Sequence, residues 1–259
     1  MMKNYITKLV MLFVLTFAIM AGVQSGLYLA RAVYDEDERP DDASVSFEKD
    51  GFSFDNTFLS EEQMNAHEIS VSVADQKSLE GSIVIPSKIS NQGITYKVTA
   101  IGSFVHCNKI TSVTIPKTVK SIEDGFFDCG KLKSVTIKAK SVKLDSECGQ
   151  FMSCPKLVAV KGMENVLNIP EGTFFDCKAL ASVTLGSKVN EIGKDAFRGC
   201  KNLKNITIKS TKLNSKNIKA KAFNGLTTTT VITVPKAKMK SYRTLLVKKG
   251  LNKSVKVRA

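Results

Sequence analysis

Residues that bind metal ions are scarce in this sequence. Its 259 residues include only two histidines, His67 and His106, and none of its six cysteines belongs to a Cys-x-x-Cys pair. Structural zinc sites usually have four cysteine or histidine ligands, often with two of them in such a pair. We therefore predict that the chain holds no metal and uses no cofactor.

The motifs of common enzyme families are also missing. There is no glycine-rich phosphate loop, no His-Glu-x-x-His and no Gly-x-Ser-x-Gly segment. The carboxylates are scattered singly, so no acid–base pair can be nominated. His106 precedes Cys107 directly, but neighbours in sequence need not face each other as a nucleophile and its base must. We predict that the protein is not an enzyme.

A repeat dominates what the sequence does contain. Phenylalanine recurs at steps of 22, 25, 23, 23 and 26 residues, at Phe104, Phe126, Phe151, Phe174, Phe197 and Phe223. A cysteine follows three residues later in five copies, at Cys107, Cys129, Cys154, Cys177 and Cys200. An aliphatic residue comes three positions after each of these cysteines, and further aliphatic positions follow. This period predicts a leucine-rich-repeat solenoid.

Each copy combines a short strand with a tight turn. Val183 and Leu185 flank Thr184, so that both aliphatic side chains share one face of a strand. The spacing of three in Phe-x-x-Cys-x-x-Leu fits a short helical or 3-10 turn with one buried face. One unit cannot bury this surface alone, whereas stacked units can. We predict a β-rich α/β fold, a solenoid of parallel stacked short strands with short helical or 3-10 turns, capped at both ends.

The first 32 residues have the features of a signal peptide. Lys3 and Lys8 precede a nearly unbroken apolar run over 9–21, and Ala30-Arg31-Ala32 matches a cleavage pattern. The alternative is an uncleaved anchor, because residues 9–30 are about long enough to cross a membrane. Either arrangement puts the repeats outside the cytoplasm, secreted or on the extracellular face of the cell envelope.

The rest of the chain divides into four predicted regions. Residues 33–43 form a linker with six acidic side chains, a block that is usually disordered. Residues 44–80 contain short alternating runs around Asp50-Gly51 and are predicted to be a β-rich N-terminal cap. Residues 81–235 carry the repeats. Residues 236–259 are predicted to be a helical C-terminal cap, with Gly250 as its stop signal.

The cysteine column allows two interpretations. Stacked strands lie about 4.8 Å apart, whereas disulfides bring Cβ atoms to about 3.5–4.5 Å, so parallel cysteines fit a bridge poorly. We expect small buried thiols, with disulfides as the alternative. Cys148 lies out of register and could either pair with Cys154 or stay free.

Two columns of small polar residues occupy the strand face opposite the aliphatic side chains. They comprise Ser112, Thr114, Ser134, Thr136, Lys161, Ser182, Thr184, Asn205, Thr207 and Thr233. In a parallel stack they would form a flat polar strip, the usual binding surface of a solenoid. The alternative is that threonine merely suits an exposed strand position. A row of equivalent hydroxyls suits a protein face or a glycan better than a small molecule.

The charge of the chain is strongly uneven. Residues 33–80 carry 14 acidic and 3 basic residues, whereas residues 81–259 carry 10 acidic and 32 basic, a net charge of +22. Such a surface attracts polyanions, including anionic envelope polymers, although lysines can also serve solubility alone. Nucleic acid is not expected as a partner, because no aromatic side chains alternate with the basic ones.

The full pattern is Ile-Gly-x-x-x-Phe-x-x-Cys-x-x-Leu-x-x-Val-x-Ile-Pro, and the fifth copy, beginning at Ile192-Gly193, is its most regular form. Over about residues 81–235 it resembles the BspA-type leucine-rich repeats of bacterial surface proteins. The resemblance implies an exported adhesion-type protein that binds a protein or glycan partner. The alternative is an envelope component that holds anionic wall polymers on its basic repeats.

Overall fold

The computed structural model describes residues 45–56, 59–145 and 149–259. The predictions for residues 1–32, for the linker at 33–43 and for Cys148 concern residues outside this description. Neither α-helix in the described part of the chain is long and apolar enough to cross a membrane.

Short strands are the commonest regular elements of the described chain. They are β1 (Ser46–Lys49), β2 (Phe52–Asp55), β3 (Glu68–Val73), β4 (Gly81–Val84), β5 (Lys88–Asn91), β6 (Ile94–Ser103), β7 (Ile110–Ile115), β8 (Ser121–Gly125), β9 (Ser134–Ile137), β10 (Lys143–Leu144), β11 (Ala159–Lys161), β12 (Ser182–Leu185), β13 (Asn205–Ile208), β14 (Val231–Thr233) and β15 (Lys256–Arg258). The helices are α1 (Glu61–Asn65) and α2 (Met239–Lys248), with 3-10 turns at Met163–Asn165 and Lys236–Lys238.

One sheet runs the length of the repeats and contains eight strands in the order β15-β14-β13-β12-β11-β9-β7-β4. Every pair in it is parallel, and equivalent residues of successive copies face each other, as Val183 faces Ile206. The aliphatic members are buried, because each coil covers the apolar edge of the next. The predicted leucine-rich-repeat solenoid is confirmed.

A second sheet lies on the other side of the core from the first, and the repeat pattern did not predict it. Its strands follow the order β1-β2-β3-β6-β8-β10, and β5 pairs with β6. Ile101 on β6 faces Ile122 on β8, and both side chains are fully buried. Farther along the chain the same side continues as isolated parallel bridges, including Ile169 with Ile192 and Ile192 with Ile218.

The phenylalanine anchors form a continuous ladder between the sheets. All six side chains are fully buried, and the ring centroids of successive anchors lie 5.1, 6.0, 5.5, 5.6 and 5.7 Å apart. The rings from Phe126 to Phe223 are nearly parallel, with interplanar angles of 4–20°. Burial of one such side chain stabilises the fold by about 1.5–3 kcal/mol.

In the third, fourth and fifth copies the turn that follows the anchor has the hydrogen bonds of the predicted 3-10 turn. In the fourth copy the Cys177 amide donates to the Phe174 carbonyl at 3.1 Å, and the Leu180 amide donates to the Cys177 carbonyl at 3.1 Å. The five described cysteines are free and buried, as expected for small apolar side chains. Burial raises the pKa of Cys200 to about 12, so this thiol stays protonated at neutral pH.

The third copy departs from the others where its strand ends. Gly162 takes a positive φ of 90°, and a Cβ atom there would collide with the carbonyl of Ile137. Glycine therefore replaces the aliphatic residue of the other copies. The next residue, Met163, begins a 3-10 turn, and its fully buried side chain contributes to the core instead.

The two ends of the solenoid are covered differently. At the start, β1, β2 and β3 form an antiparallel unit, and Phe52 extends the ring ladder with its centroid 6.3 Å from that of Phe104. At the end, α2 buries Tyr242 and Leu246 against the last coils, and β15 completes the long sheet.

Candidate functional site

The outward surface of the eight-stranded sheet is the candidate site, and we call it the polar face. Its side chains belong to two columns, because alternate residues of a strand point to the same side. The first column is Ser82, Ser112, Ser134, Ala159, Ser182, Asn205, Val231 and Lys256. The second is Val84, Thr114, Thr136, Lys161, Thr184, Thr207, Thr233 and Arg258.

All ten residues nominated from the sequence lie in these columns. Ser112 faces Ser134, and Thr114 faces Thr136, across the β7–β9 pair. Thr184 faces Thr207, which in turn faces Thr233. Lys161, Ser182 and Asn205 are exposed and the other seven are half-buried. The structure therefore brings the nominated residues together on one accessible surface.

The columns are interrupted near their middle. Between β11 and β12 the only register pair is Ala159 with Ser182, because the 3-10 turn at Met163–Asn165 ends β11 early. Ala159 also supplies no hydroxyl. The polar face thus consists of one hydroxyl-rich stretch over β7 and β9 and another over β12 to β14.

Both ends of the polar face extend beyond the residues found from the sequence. The Ser112 hydroxyl donates to that of Ser82 at 2.8 Å, and the Arg258 Nε donates to the Thr233 hydroxyl at 3.3 Å. Ser82 and Arg258 lie outside the six phenylalanine-anchored copies, so column counting missed them. Their alternating strands, at residues 81–84 and 256–258, were the available signal.

The chemistry of the polar face favours binding rather than catalysis. Hydroxyl and amide groups can both donate and accept hydrogen bonds, and a flat array of them can follow a long ligand. The residues of the two columns include no carboxylate, histidine or thiol, and Lys161 is the only charged member of the ten nominated residues.

His106 and Cys107 do not form the nucleophile pair that was considered from the sequence. Cys107 is fully buried, and its hydrogen bond with Cys129, together with burial, raises the pKa of its thiol. His106 is exposed, and its Nδ1 lies 2.9 Å from a carboxylate oxygen of Asp128. The thiol is thus protonated and sheltered, whereas the imidazole is engaged elsewhere.

A shallow depression of about 260 Å³ lies on the opposite side of the solenoid, between Leu144 and Lys219. Its charged groups already pair with one another. Lys194 lies 3.1 Å from Glu171, and Lys219 lies 3.2 Å from Glu191. In the described residues no cluster of His, Cys, Asp or Glu side chains could hold a metal ion. The depression therefore offers few unpaired groups to a ligand.

Solved structures share this architecture. A leucine-rich cell surface protein from Faecalibacterium prausnitzii matches 86% of the chain with a TM-score of 0.54 and 20% identity; the match covers 52% of that protein, so this chain spans about half its length. The leucine-rich repeat protein of T. pallidum matches 80% of the chain and 95% of its own length, with a TM-score of 0.52 and 19% identity. At these identities the likeness concerns the fold.

No curated protein matches the chain in sequence. The family described as the BspA type leucine rich repeat region does match, in six copies that cover residues 54–178 and 148–246. These ranges include the phenylalanine ladder, strands β3 to β14 and most of the polar face. The resemblance noted from the sequence is confirmed, and the chain belongs to the BspA-type leucine-rich repeat family.

Proposed function

We propose that the protein is a secreted or cell-surface interaction protein that binds a protein or glycan partner through the polar face, in the manner of an adhesin. It acts by recognition and not by catalysis. The chain is a leucine-rich-repeat protein that resembles bacterial cell-surface proteins of this type.

One observation carries the proposal. Two columns of side chains, most of them small and polar, extend over eight parallel strands with one interruption between β11 and β12, and none of these side chains is buried. A face needed only for folding could vary freely from coil to coil. Six of the eight strands instead carry at least one hydroxyl in these columns, and such repetition suits an extended partner that crosses several strands.

The location proposed for this activity depends on two supports. The first 32 residues have the sequence features of an export signal. The structural relative from Faecalibacterium prausnitzii is described as a cell surface protein. A partner outside the cell, on a host surface or in the envelope, follows from such a location.

A second candidate function follows from charge. Residues 81–259 have a net charge of +22, which would hold anionic envelope polymers without a shaped site. Such binding weakens steeply as salt screens the charges, whereas recognition through hydroxyl groups and shape is less sensitive to salt.

The test compares capture from envelope and host-surface extracts at low and high salt. The variant Thr184→Val/Thr207→Val removes two neighbouring hydroxyls of the polar face while keeping β-branched side chains. The control, Thr95→Val/Thr244→Val, makes the same change at two exposed threonines outside the columns. We expect the native chain and the control to retain a partner at high salt, and the first variant to lose it. Capture at low salt only, equal for all three proteins, would refute the proposal and favour the charge-based candidate.

A further inference from the structure

Charge is distributed unequally around each coil of the solenoid. We define six strand segments of twelve residues, each beginning four residues after a phenylalanine anchor and containing one strand of the polar face: 108–119, 130–141, 155–166, 178–189, 201–212 and 227–238. Together they contain 16 lysines, no arginine and a single acidic residue, Glu164. The back segments between them, from 120 to 226, contain 7 basic and 9 acidic residues.

Eleven of the 16 strand-segment lysines form two rows along the polar face. A leading row, just before the strands, has one member in each of five coils: Lys109, Lys131, Lys156, Lys178 and Lys201. A trailing row, at or after the strand ends, has one in each of six coils: Lys117, Lys138, Lys161, Lys188, Lys209 and Lys236. All eleven are exposed. The parallel register places equivalent positions of successive coils side by side, as the bond from the Lys138 amide to the Ile115 carbonyl shows.

The basic residues on the two sides of the solenoid also differ in how many form ion pairs. On the back, Lys120, Lys143, Lys194, Arg198 and Lys219 each lie within 4.0 Å of a carboxylate. Among the described strand-segment lysines only Lys109 has such a partner, Glu80, at 4.0 Å. Lysines that served solubility alone could lie next to acidic residues. The back segments contain both basic and acidic residues, so the fold does not exclude such neighbours.

We propose that the polar face and its two lysine rows form a binding site for an extended anionic glycan that lies across the strands. This inference rests on the proposed function and names the class of its partner. The lysines meet sulfate or carboxylate groups, and the serine and threonine columns between them meet sugar hydroxyls. Strands spaced about 4.8 Å apart give six coils a length of roughly 25 Å, enough for several sugar units.

The composition of the rows favours a glycan over other polyanions. Lysine is a point charge on a flexible stem, which suits a chain of irregularly spaced charges, whereas arginine would indicate a shaped phosphate pocket. The strand segments contain no aromatic residue and no histidine, so nucleobases would find no ring on which to stack.

The test measures heparin binding, as a sulfated probe, by calorimetry over a series of salt concentrations. The variant Lys131→Gln/Lys156→Gln/Lys178→Gln/Lys201→Gln neutralises four members of the leading row. The control Lys143→Gln/Lys194→Gln/Lys216→Gln/Lys219→Gln removes the same charge from the back. We expect the first to weaken binding by at least about tenfold and to lower its salt dependence, and the second to stay within about twofold of the native chain. Circular dichroism checks that both are folded.

Equal losses in the two variants would overturn the inference, because net charge alone would then explain binding. Equal affinity for polyphosphate or single-stranded DNA of the same charge would overturn the assignment to a glycan. The variant Thr184→Val/Thr207→Val separates this failure from failure of the proposed function. Suppose that this variant fails to capture the partner that the native chain retains at high salt. The polar face then binds a partner other than an anionic glycan, and only the glycan inference is refuted.

Discussion

The cysteine column links neighbouring coils through single side chains. The thiols of Cys129, Cys154, Cys177 and Cys200 donate to the carbonyls of Phe104, Phe126, Phe151 and Phe174 at 3.1, 3.0, 2.9 and 3.0 Å. Each of these bonds runs from one coil to the anchor of the preceding coil. Cys107 has no preceding anchor, and its thiol lies 3.8 Å from the Val105 carbonyl in its own coil. The column therefore has a bonding role besides filling space.

This role predicts unequal costs for the same substitution. Cys177→Ala leaves the Phe151 carbonyl without its donor and opens a small cavity, so we expect the free energy of unfolding to fall by about 1–3 kcal/mol. Cys107→Ala removes a comparable buried side chain but no bond to the carbonyl of a preceding anchor, and its effect should be smaller by about 1 kcal/mol. Urea denaturation measures both. Equal losses would show that the thiols contribute by packing alone.

At the scale of the elements, the N-terminal cap depends on one buried carboxylate. Glu68 on β3 is 6% exposed and lies 2.6 Å from the Lys120 ammonium of the repeats, and Gln63 of α1 donates to it at 3.3 Å. Burial alone raises its pKa, but the hydrogen bonds from Lys120 and Gln63 outweigh that effect and hold the pKa below its usual 4.5. The ionised form is thus the one that stabilises the cap.

The direction of this pKa shift fixes a pH dependence. Because the pKa is lower in the folded protein, the stabilisation is complete above pH 4.5 and is lost as the pH falls through the folded value. We expect Glu68→Gln to lower stability at neutral pH by about 1.5–3 kcal/mol and to flatten the acid limb of the melting profile. Glu80→Gln, at an exposed residue with a 4.0 Å pair to Lys109, serves as the control. An unchanged acid limb in Glu68→Gln would contradict this account.

The C-terminal cap depends on a buried tyrosine. The Tyr242 hydroxyl on α2 accepts from the Leu213 amide and donates to the Ser210 carbonyl, both at 3.0 Å. Tyr242→Phe leaves both backbone groups without this partner and should lower stability by about 1–3 kcal/mol. Ser241→Ala, one residue earlier on the exposed side, should change stability by less than about 0.5 kcal/mol. Thermal denaturation compares the two, and similar melting temperatures would refute the role of the hydroxyl.

Elements with a repeated apolar pattern could be predicted from the sequence, and elements without one could not. β12 and β13 follow from strict alternation around Thr184 and Thr207. β8 contributes one buried isoleucine among polar residues, Ser121-Ile122-Glu123-Asp124-Gly125, and only the neighbouring coils make it a strand. Helix α1 has only five residues, and its capping box between Ser60 and Gln63 is easily overlooked within a β-rich region.

At the scale of the whole molecule, the solenoid converts positions in a repeat into long surfaces. The two polar columns could be predicted because period-two strands and a constant register determine them. The lysine rows are harder to recognise, because the distance from the phenylalanine anchor to the lysine varies between coils, as with Lys109 and Lys178. Only the stacked coils show that one strand-segment lysine, Lys109, has a carboxylate within 4.0 Å, whereas five basic residues on the back have one.

The proposed function requires that the partner contact the polar face. Photo-cross-linking can detect this contact, with p-benzoylphenylalanine placed at Thr184 on the polar face in one sample and at Lys194 on the back in another. Each sample is irradiated with the extracts used for capture, and cross-linked products are detected by their higher mass. We expect products from position 184 and none from position 194. Products from position 194 at equal or greater yield would contradict the claim.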